Sequence, residues 1–266
     1  MSVFQAILLG AVQGITEFLP ISSTGHLLIA QRLLGFSQSL MSFDIALHFA
    51  SLLAIVYYFR STLLSLRLKD IRLLVIGTVP VVIVGLLVKD LVEQLSLITW
   101  YIAIELIITG SINIMIDRLL VKQQENPASI SPLSSRSAWW TGVGQVFGIS
   151  PAISRSGSTV LAALSQGIER TEAFRFAFLL AIPSLLGATM LELFDGVRDP
   201  TALSNISLPV LGAGMITSFL VGLGSLRVFE YVMQSAKLRY FGYYCIVLGV
   251  LLFVGSVGGS GLVAKL

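Results

Sequence analysis

The sequence predicts an all-α, polytopic integral membrane protein: about six transmembrane helices and two re-entrant helix hairpins, arranged as an inverted-topology repeat. Three observations carry that expectation. The 266 residues are 55% hydrophobic and only 12% charged, with a mean hydropathy of +0.90, too apolar for an ordinary soluble domain. Apolar segments recur along the chain as far as the C-terminus. Two regions break the pattern with short apolar pieces on either side of Ser- and Gly-rich stretches.

A helix needs about 20 mostly apolar residues to cross the hydrocarbon core. Full spans are expected over 41–59, 73–88, 97–116, 172–194, 208–226 and 241–259. The 73–88 stretch is short and carries Pro80, so its ends should extend into flanking residues. Residues 3–19 instead run into Pro20-Ile21-Ser22-Ser23-Thr24-Gly25-His26, and the apolar piece that follows stops at Phe36. Residues 138–149 and 158–168 flank Ser150-Pro151-Ala152-Ile153-Ser154-Arg155-Ser156-Gly157 in the same way. Irregular polar backbone is tolerated at membrane depth only inside protein or beside a watery cavity, which suggests two re-entrant helix–loop–helix hairpins. No basic stretch precedes a short apolar core at the N-terminus, so no cleaved signal peptide is expected.

Basic residues set the orientation. Arg60, Arg67, Lys69 and Arg72 crowd one loop, Arg118, Lys122 and Arg136 a second, and Arg227, Lys237 and Arg239 a third. With the spans above these loops share one side, which the positive-inside rule makes cytoplasmic; both termini then lie outside. The loops at 89–96 and 195–207 are lean in bases and carry Asp90, Glu93, Asp195 and Asp199. Because the bases fall between apolar segments, the pI near 9.1 does not point to nucleic acid. A single cysteine, Cys245, excludes an intramolecular disulfide and a cysteine-based metal site.

The chain reads as one membrane domain, 1–266, with repeats of approximately 1–116 and 138–259. A shift of 132 residues lays Ile21-Ser22-Ser23-Thr24-Gly25 on Ile153-Ser154-Arg155-Ser156-Gly157, Gly10 on Gly142 and Gln13 on Gln145. Equivalent segments on opposite sides of the membrane characterise inverted repeats, whose broken helices meet at the midplane.

Such a meeting place suits an anion. Helices starting near His26 and Ser158 would offer free backbone N–H groups and positive dipole ends to a phosphate. Candidate binding residues are Ser22, Thr24, Gly25, Ser154, Ser156, Gly157 and Thr159, whose glycines permit close approach and whose hydroxyls add donors. Arg155 supplies a permanent charge with a planar fork, and an intramembrane arginine marks a functional site by default. Ser and Thr often merely cap helices, but capping does not account for Arg155 in one loop and Glu17 and His26 around the other. Gln13 and Glu17, at i and i+4, share a helix face and are the candidate ligands of a divalent cation. Ser23 is the candidate nucleophile and His26, three residues on, its candidate base. Asp44, His48, Glu105 and Arg175 are expected to act as structural pairs, and Trp139, Trp140, Tyr57, Tyr58, Tyr243 and Tyr244 as interfacial aromatics.

Gln13-Gly14-Ile15-Thr16-Glu17, leading into Ser22-Ser23-Thr24-Gly25-His26, resembles the first signature of the bacterial undecaprenyl-diphosphate phosphatases of the BacA/UppP type. Pro151-Ala152-Ile153-Ser154-Arg155-Ser156-Gly157 resembles the second, with Ala152 where that family usually has glycine. The likeness extends over essentially the whole chain. It implies a hydrolase dependent on Mg²⁺ or Ca²⁺ that converts undecaprenyl diphosphate to the monophosphate and inorganic phosphate. This reaction recycles the carrier for peptidoglycan synthesis and other cell-wall biogenesis, maintains cell shape and is associated with resistance to the antibiotic bacitracin. The resemblance further implies catalytic roles for Glu17, Ser23, His26 and Arg155, and a site in the plasma membrane open to the outer face. The surrounding partner is membrane lipid, and a homo-oligomer is left open. The alternative from the repeat architecture is a flippase for lipid phosphates, acting alone or together with hydrolysis.

Overall fold

A computed structural model describes residues 1–36, 40–96, 98–198 and 206–257, among which every regular element is helical. The first hairpin is α1 (Val3–Thr16) and α2 (Ser23–Leu33), followed by α3 (Met41–Tyr58), the short α4 (Arg60–Leu64), α5 (Leu68–Ser96) and α6 (Thr99–Glu125). The second hairpin is α7 (Ser135–Phe147) and α8 (Arg155–Ser165), followed by α9 (Arg170–Arg198), α10 (Leu208–Ser235) and α11 (Arg239–Val257). Residue 97, residues 258 and 259, and most of the expected 195–207 loop with Asp199 lie outside the described residues.

The expected spans appear as α3, α5, α6, α9, α10 and α11. Of these, α3, α5, α9, α10 and α11 are long and apolar enough to cross a membrane. Helix α5 extends well beyond 73–88 at both ends, with Pro80 inside it. An internal proline is tolerated where neighbouring groups satisfy the freed carbonyl. Helix α6, at 27 residues, matches the others in length, and its buried face carries Glu105, Thr109, Asn113 and Asp117, one helical turn apart. Both hairpins begin with serine caps: Ser2 and Ser134 each accept from the backbone N–H three residues on, and that residue's side chain accepts from the cap N–H in return.

Glycine contacts set the packing. Helix α1 lies on α10 with Gly10 against the backbone of Gly214, and α7 lies on α5 with Gly142 against the backbone of Gly77. Helix α6 crosses α11 where Gly110 and Gly242 face one another; a Cβ on either would lie 2.5 to 2.7 Å from the other's carbonyl oxygen. Small residues let helices approach closely where lipid provides no hydrophobic drive to associate. The 132-residue shift lays Gly10 on Gly142 and Gly110 on Gly242, and all four glycines lie at helix crossings. Below the hairpin loops, between α3, α9 and α10, five buried phenylalanines stack: Phe18, Phe59, Phe174, Phe178 and Phe229, with centroid separations of 4.8 to 6.2 Å.

Candidate active site

Each hairpin turns at a serine that caps its second helix. Ser22 Oγ accepts from Gly25 N–H at 3.4 Å, and Ser154 Oγ accepts from Gly157 N–H at 3.2 Å. Ser22 holds φ at +74°, a left-handed conformation that a non-glycine residue adopts only when its surroundings impose it. The surroundings here are the other loop: Ser22 Oγ donates to the carbonyl of Pro151 at 3.4 Å. A Cβ on Gly25 would rest 3.5 Å from the Cβ of Ala152, and one on Gly157 would rest 3.4 Å from Pro20. The methyl of Ala152 faces Gly25 with ordinary van der Waals room between them.

The polar stripe of α6 holds both loops. Glu105 accepts from Ala152 N–H at 2.7 Å and from the Ser150 hydroxyl. Thr109 Oγ1 accepts from Ser154 N–H at 3.0 Å and donates to the Ala152 carbonyl at 2.9 Å. Asn113 donates to the carbonyl of Pro20 at 2.6 Å. Buried loop backbone must be paired, and here side chains of a single helix pair it.

The two loops meet at a charge pair. Arg155 Nη2, at the start of α8, donates to Glu17 Oε1, just past the end of α1. Glu17 Oε2 accepts from Gln13 Nε2 at 3.0 Å, and His48 Nε2 stands 4.0 Å from Oε2. The Glu17 side chain is only 2% exposed, whereas Arg155 and His48 are each 22% exposed. The anion is thus buried while the Arg155 guanidinium reaches an opening. That opening, a small one of about 10 Å³, is lined by Glu17, Arg155, Ser156 and Thr159, with an apolar wall of Phe18, Ile55, Ala177, Phe178 and Ala181.

Profile and relatives agree on the family. The family profile described as "Bacitracin resistance protein BacA" matches residues 6–251. The chain belongs to the BacA family. Among its relatives, "Undecaprenyl-diphosphatase" of Carboxydothermus hydrogenoformans is 37% identical over 98% of this chain and 100% of the relative. A protein of the same name from Syntrophotalea carbinolica is 38% identical over 96% of this chain and 100% of the relative. "Undecaprenyl-diphosphatase 2" of Halalkalibacterium halodurans is 35% identical over 95% and 96% respectively.

Within this BacA-family chain, the structure brings together Gln13, Glu17, Ser23, Arg155, Ser156 and Thr159. Thr159 Oγ1 donates to the Arg155 carbonyl at 2.7 Å, while Ser154 and Ser156 share a hydroxyl contact at 3.1 Å. Ser23 and Thr24 are half-buried at the head of α2. The expected Ser23–His26 couple is not formed. His26 Nδ1 lies 2.7 Å from the carbonyl of Ser22, one turn back, and this anchor turns Nε2 towards the hydroxyl of Tyr244, also at 2.7 Å. The ionisable group near the Ser23 hydroxyl is Glu17.

Two residues of this BacA-family site were read differently from sequence. The sequence leaves His48 either to pair structurally or to line the cavity; it faces Glu17, while Asp44 is held by Gln31 at 2.7 Å. An intramembrane histidine is a functional candidate by default, and that signal was available. Tyr244 was assigned to the interfacial belt and instead meets His26, an approach set by the α6–α11 crossing and invisible in the linear sequence. Glu105 and Arg175 do pair structurally, Glu105 with the second loop and Arg175 with Glu172 at 2.6 Å.

The donor set fits a hard cation. Gln13 is fully buried, and its Oε1 has no hydrogen-bond partner beside the Glu17 carboxylate. Among the described residues no group of three or more His, Cys, Asp or Glu side chains is placed to hold a metal. Two protein oxygens suit Mg²⁺, which usually takes few protein ligands and completes its shell with water and phosphate oxygens.

Proposed function

We propose that this chain hydrolyses undecaprenyl diphosphate to undecaprenyl phosphate and inorganic phosphate, recycling the lipid carrier for wall synthesis. The names of its relatives support the substrate. The observation that carries the chemistry is the Glu17–Arg155 pair, which sits between two helix N-termini with Ser23 at the head of one of them. The terminal phosphate enters between the loops, where Arg155 exchanges Glu17 for phosphate oxygens and the backbone N–H groups of α2 and α8 face the anion. Ser23 Oγ attacks the terminal phosphorus and passes its proton to Glu17, the bridging P–O bond breaks, and undecaprenyl phosphate departs. Glu17 gives that proton to the departing undecaprenyl phosphate and is a carboxylate again; it then takes a proton from water as the water oxygen attacks phosphorus and returns it to Ser23 Oγ as the P–O(Ser23) bond breaks, releasing inorganic phosphate. Gln13 Oε1 and Glu17 would hold a divalent cation, which when bound adds positive charge beside the diphosphate oxygens. In the runner-up mechanism water attacks phosphorus directly and Ser23 only donates a hydrogen bond.

The test is phosphate release from undecaprenyl diphosphate by purified protein in detergent, where no membrane sidedness exists. Turnover that a chelator abolishes and added Mg²⁺ or Ca²⁺ restores is expected. Absence of release from folded protein would leave a flippase as the better reading. Hydrolysis unaffected by the chelator would remove the cation from the mechanism.

The site is proposed to serve the outer face of the plasma membrane, with the 60–72 loop cytoplasmic. In a Cys245→Ser background, an impermeant thiol reagent applied to intact cells is expected to label a cysteine placed at Ser207 and to spare one at Ser65. Both serines are exposed. The opposite pattern reverses the orientation.

A further inference from the structure

Tyr244 is half-exposed on α11, and its sequence position alone places it in an interfacial belt. Its hydroxyl nonetheless lies 2.7 Å from His26 Nε2, and its ring lies 5.6 Å from the imidazole at an interplanar angle of 25°. The other imidazole nitrogen, Nδ1, is 2.7 Å from the Ser22 carbonyl. A carbonyl oxygen only accepts, so Nδ1 carries the hydrogen; in the neutral ring Nε2 is then a lone pair, and the tyrosine O–H donates to it.

These contacts connect two distant parts of the molecule. Ser22 is the cap of α2 held at φ +74°, and its side chain bonds Pro151 of the second loop. Tyr244 stands two residues beyond Gly242, whose close contact with Gly110 fixes the depth at which α11 lies on α6. A line of hydrogen bonds thus runs from α11 through His26 to the residue that joins the two loops. Stacking alone would be served equally by phenylalanine, so the hydroxyl is the part that packing does not require.

We propose that Tyr244 is a positioning residue of the site, its hydroxyl holding His26 in one orientation and one tautomer and thereby bracing the Ser22 junction. Nothing in this requires Tyr244 to touch the substrate. The kinetic consequence rests on the proposed hydrolase activity, whereas the tautomer does not.

The chain has two histidines, so ¹⁵N-histidine labelling in detergent gives two imidazoles, and a His48→Gln sample assigns them. Wild-type His26 is expected as a single Nδ1–H tautomer with a hydrogen-bonded Nε2. Tyr244→Phe keeps the ring and removes the donor; it should weaken or mix that tautomer while the His48 signals stay in place. With undecaprenyl diphosphate, Tyr244→Phe should lower kcat about tenfold with KM little changed, the scale of one lost hydrogen bond in an organised site. In a His26→Ala background the same substitution should cost nothing further, because the two residues act as a unit. Three results would overturn the proposal: an Nε2–H or mixed tautomer in the wild type, which needs no variant to fold; an unchanged His26 spectrum in Tyr244→Phe; or losses that multiply in the double variant. If the wild type releases no phosphate, the hydrolase reading fails, and the spectra still decide the role of Tyr244.

Discussion

Glu17→Gln is expected to reduce kcat by about a thousandfold or more, the combined loss of a proton acceptor and of an organised charge pair. Glutamine preserves the shape and can still accept from Gln13, so the helix end should remain in place. What it cannot do is take the Ser23 proton or neutralise Arg155, whose guanidinium it would leave beside a buried amide. Removing one partner of a buried pair costs stability as well, on the order of 3 kcal/mol where burial is complete and less here, because Arg155 retains some exposure. Melting in detergent should therefore shift downwards, and added inorganic phosphate, a replacement anion for Arg155, should recover part of the shift. A Glu17→Gln protein with near-normal turnover would remove this carboxylate from the chemistry.

Ser23→Ala is expected to lower kcat by about 10³-fold while KM changes little, since Arg155 and the loop amides still bind the diphosphate. The structure sharpens the prediction by naming the partner. In the proposed mechanism Ser23 gives its proton to Glu17, so Ser23→Ala and Glu17→Gln should be strongly non-additive. His26→Ala should combine with Ser23→Ala nearly independently, since His26 is bound to Ser22 and Tyr244 instead. Steady-state kinetics of the two double variants distinguish these outcomes. A Ser23→Ala enzyme that keeps most of its kcat would favour direct attack by water.

Hydropathy made the long helices legible because a membrane span must satisfy its own backbone and stay apolar over its length. The hairpins were legible for the converse reason: Pro20 and Pro151 sit among Ser and Gly where neither flanking piece is long enough to cross. The helix ends were less legible. Helix α5 starts at Leu68 and ends at Ser96, drawing charged residues such as Lys69, Asp70 and Arg72 into helical conformation at its N-terminal end. Glu17 and Arg155 could be picked from composition alone, since charges are costly there unless paired. Their mutual contact spans 138 residues of sequence and could be expected only through the repeat. The Ser23–His26 couple was misread because i, i+3 spacing places two Cα positions on one face but does not decide where a ring nitrogen points. That is decided by the Ser22 carbonyl one turn back and by a tyrosine 218 residues away.

The cluster of Phe18, Phe59, Phe174, Phe178 and Phe229 lies directly beneath the charged pair, with Phe18 and Phe178 also forming the apolar wall of the opening. The rings therefore set hydrocarbon rather than water against that side of the Glu17–Arg155 pair. Beside such a weakly polarisable wall, opposite charges attract more strongly than they would in water. An anion that replaced Glu17 at Arg155 would gain from the same wall, so five residues without a polar side-chain atom raise the grip of the one guanidinium above them.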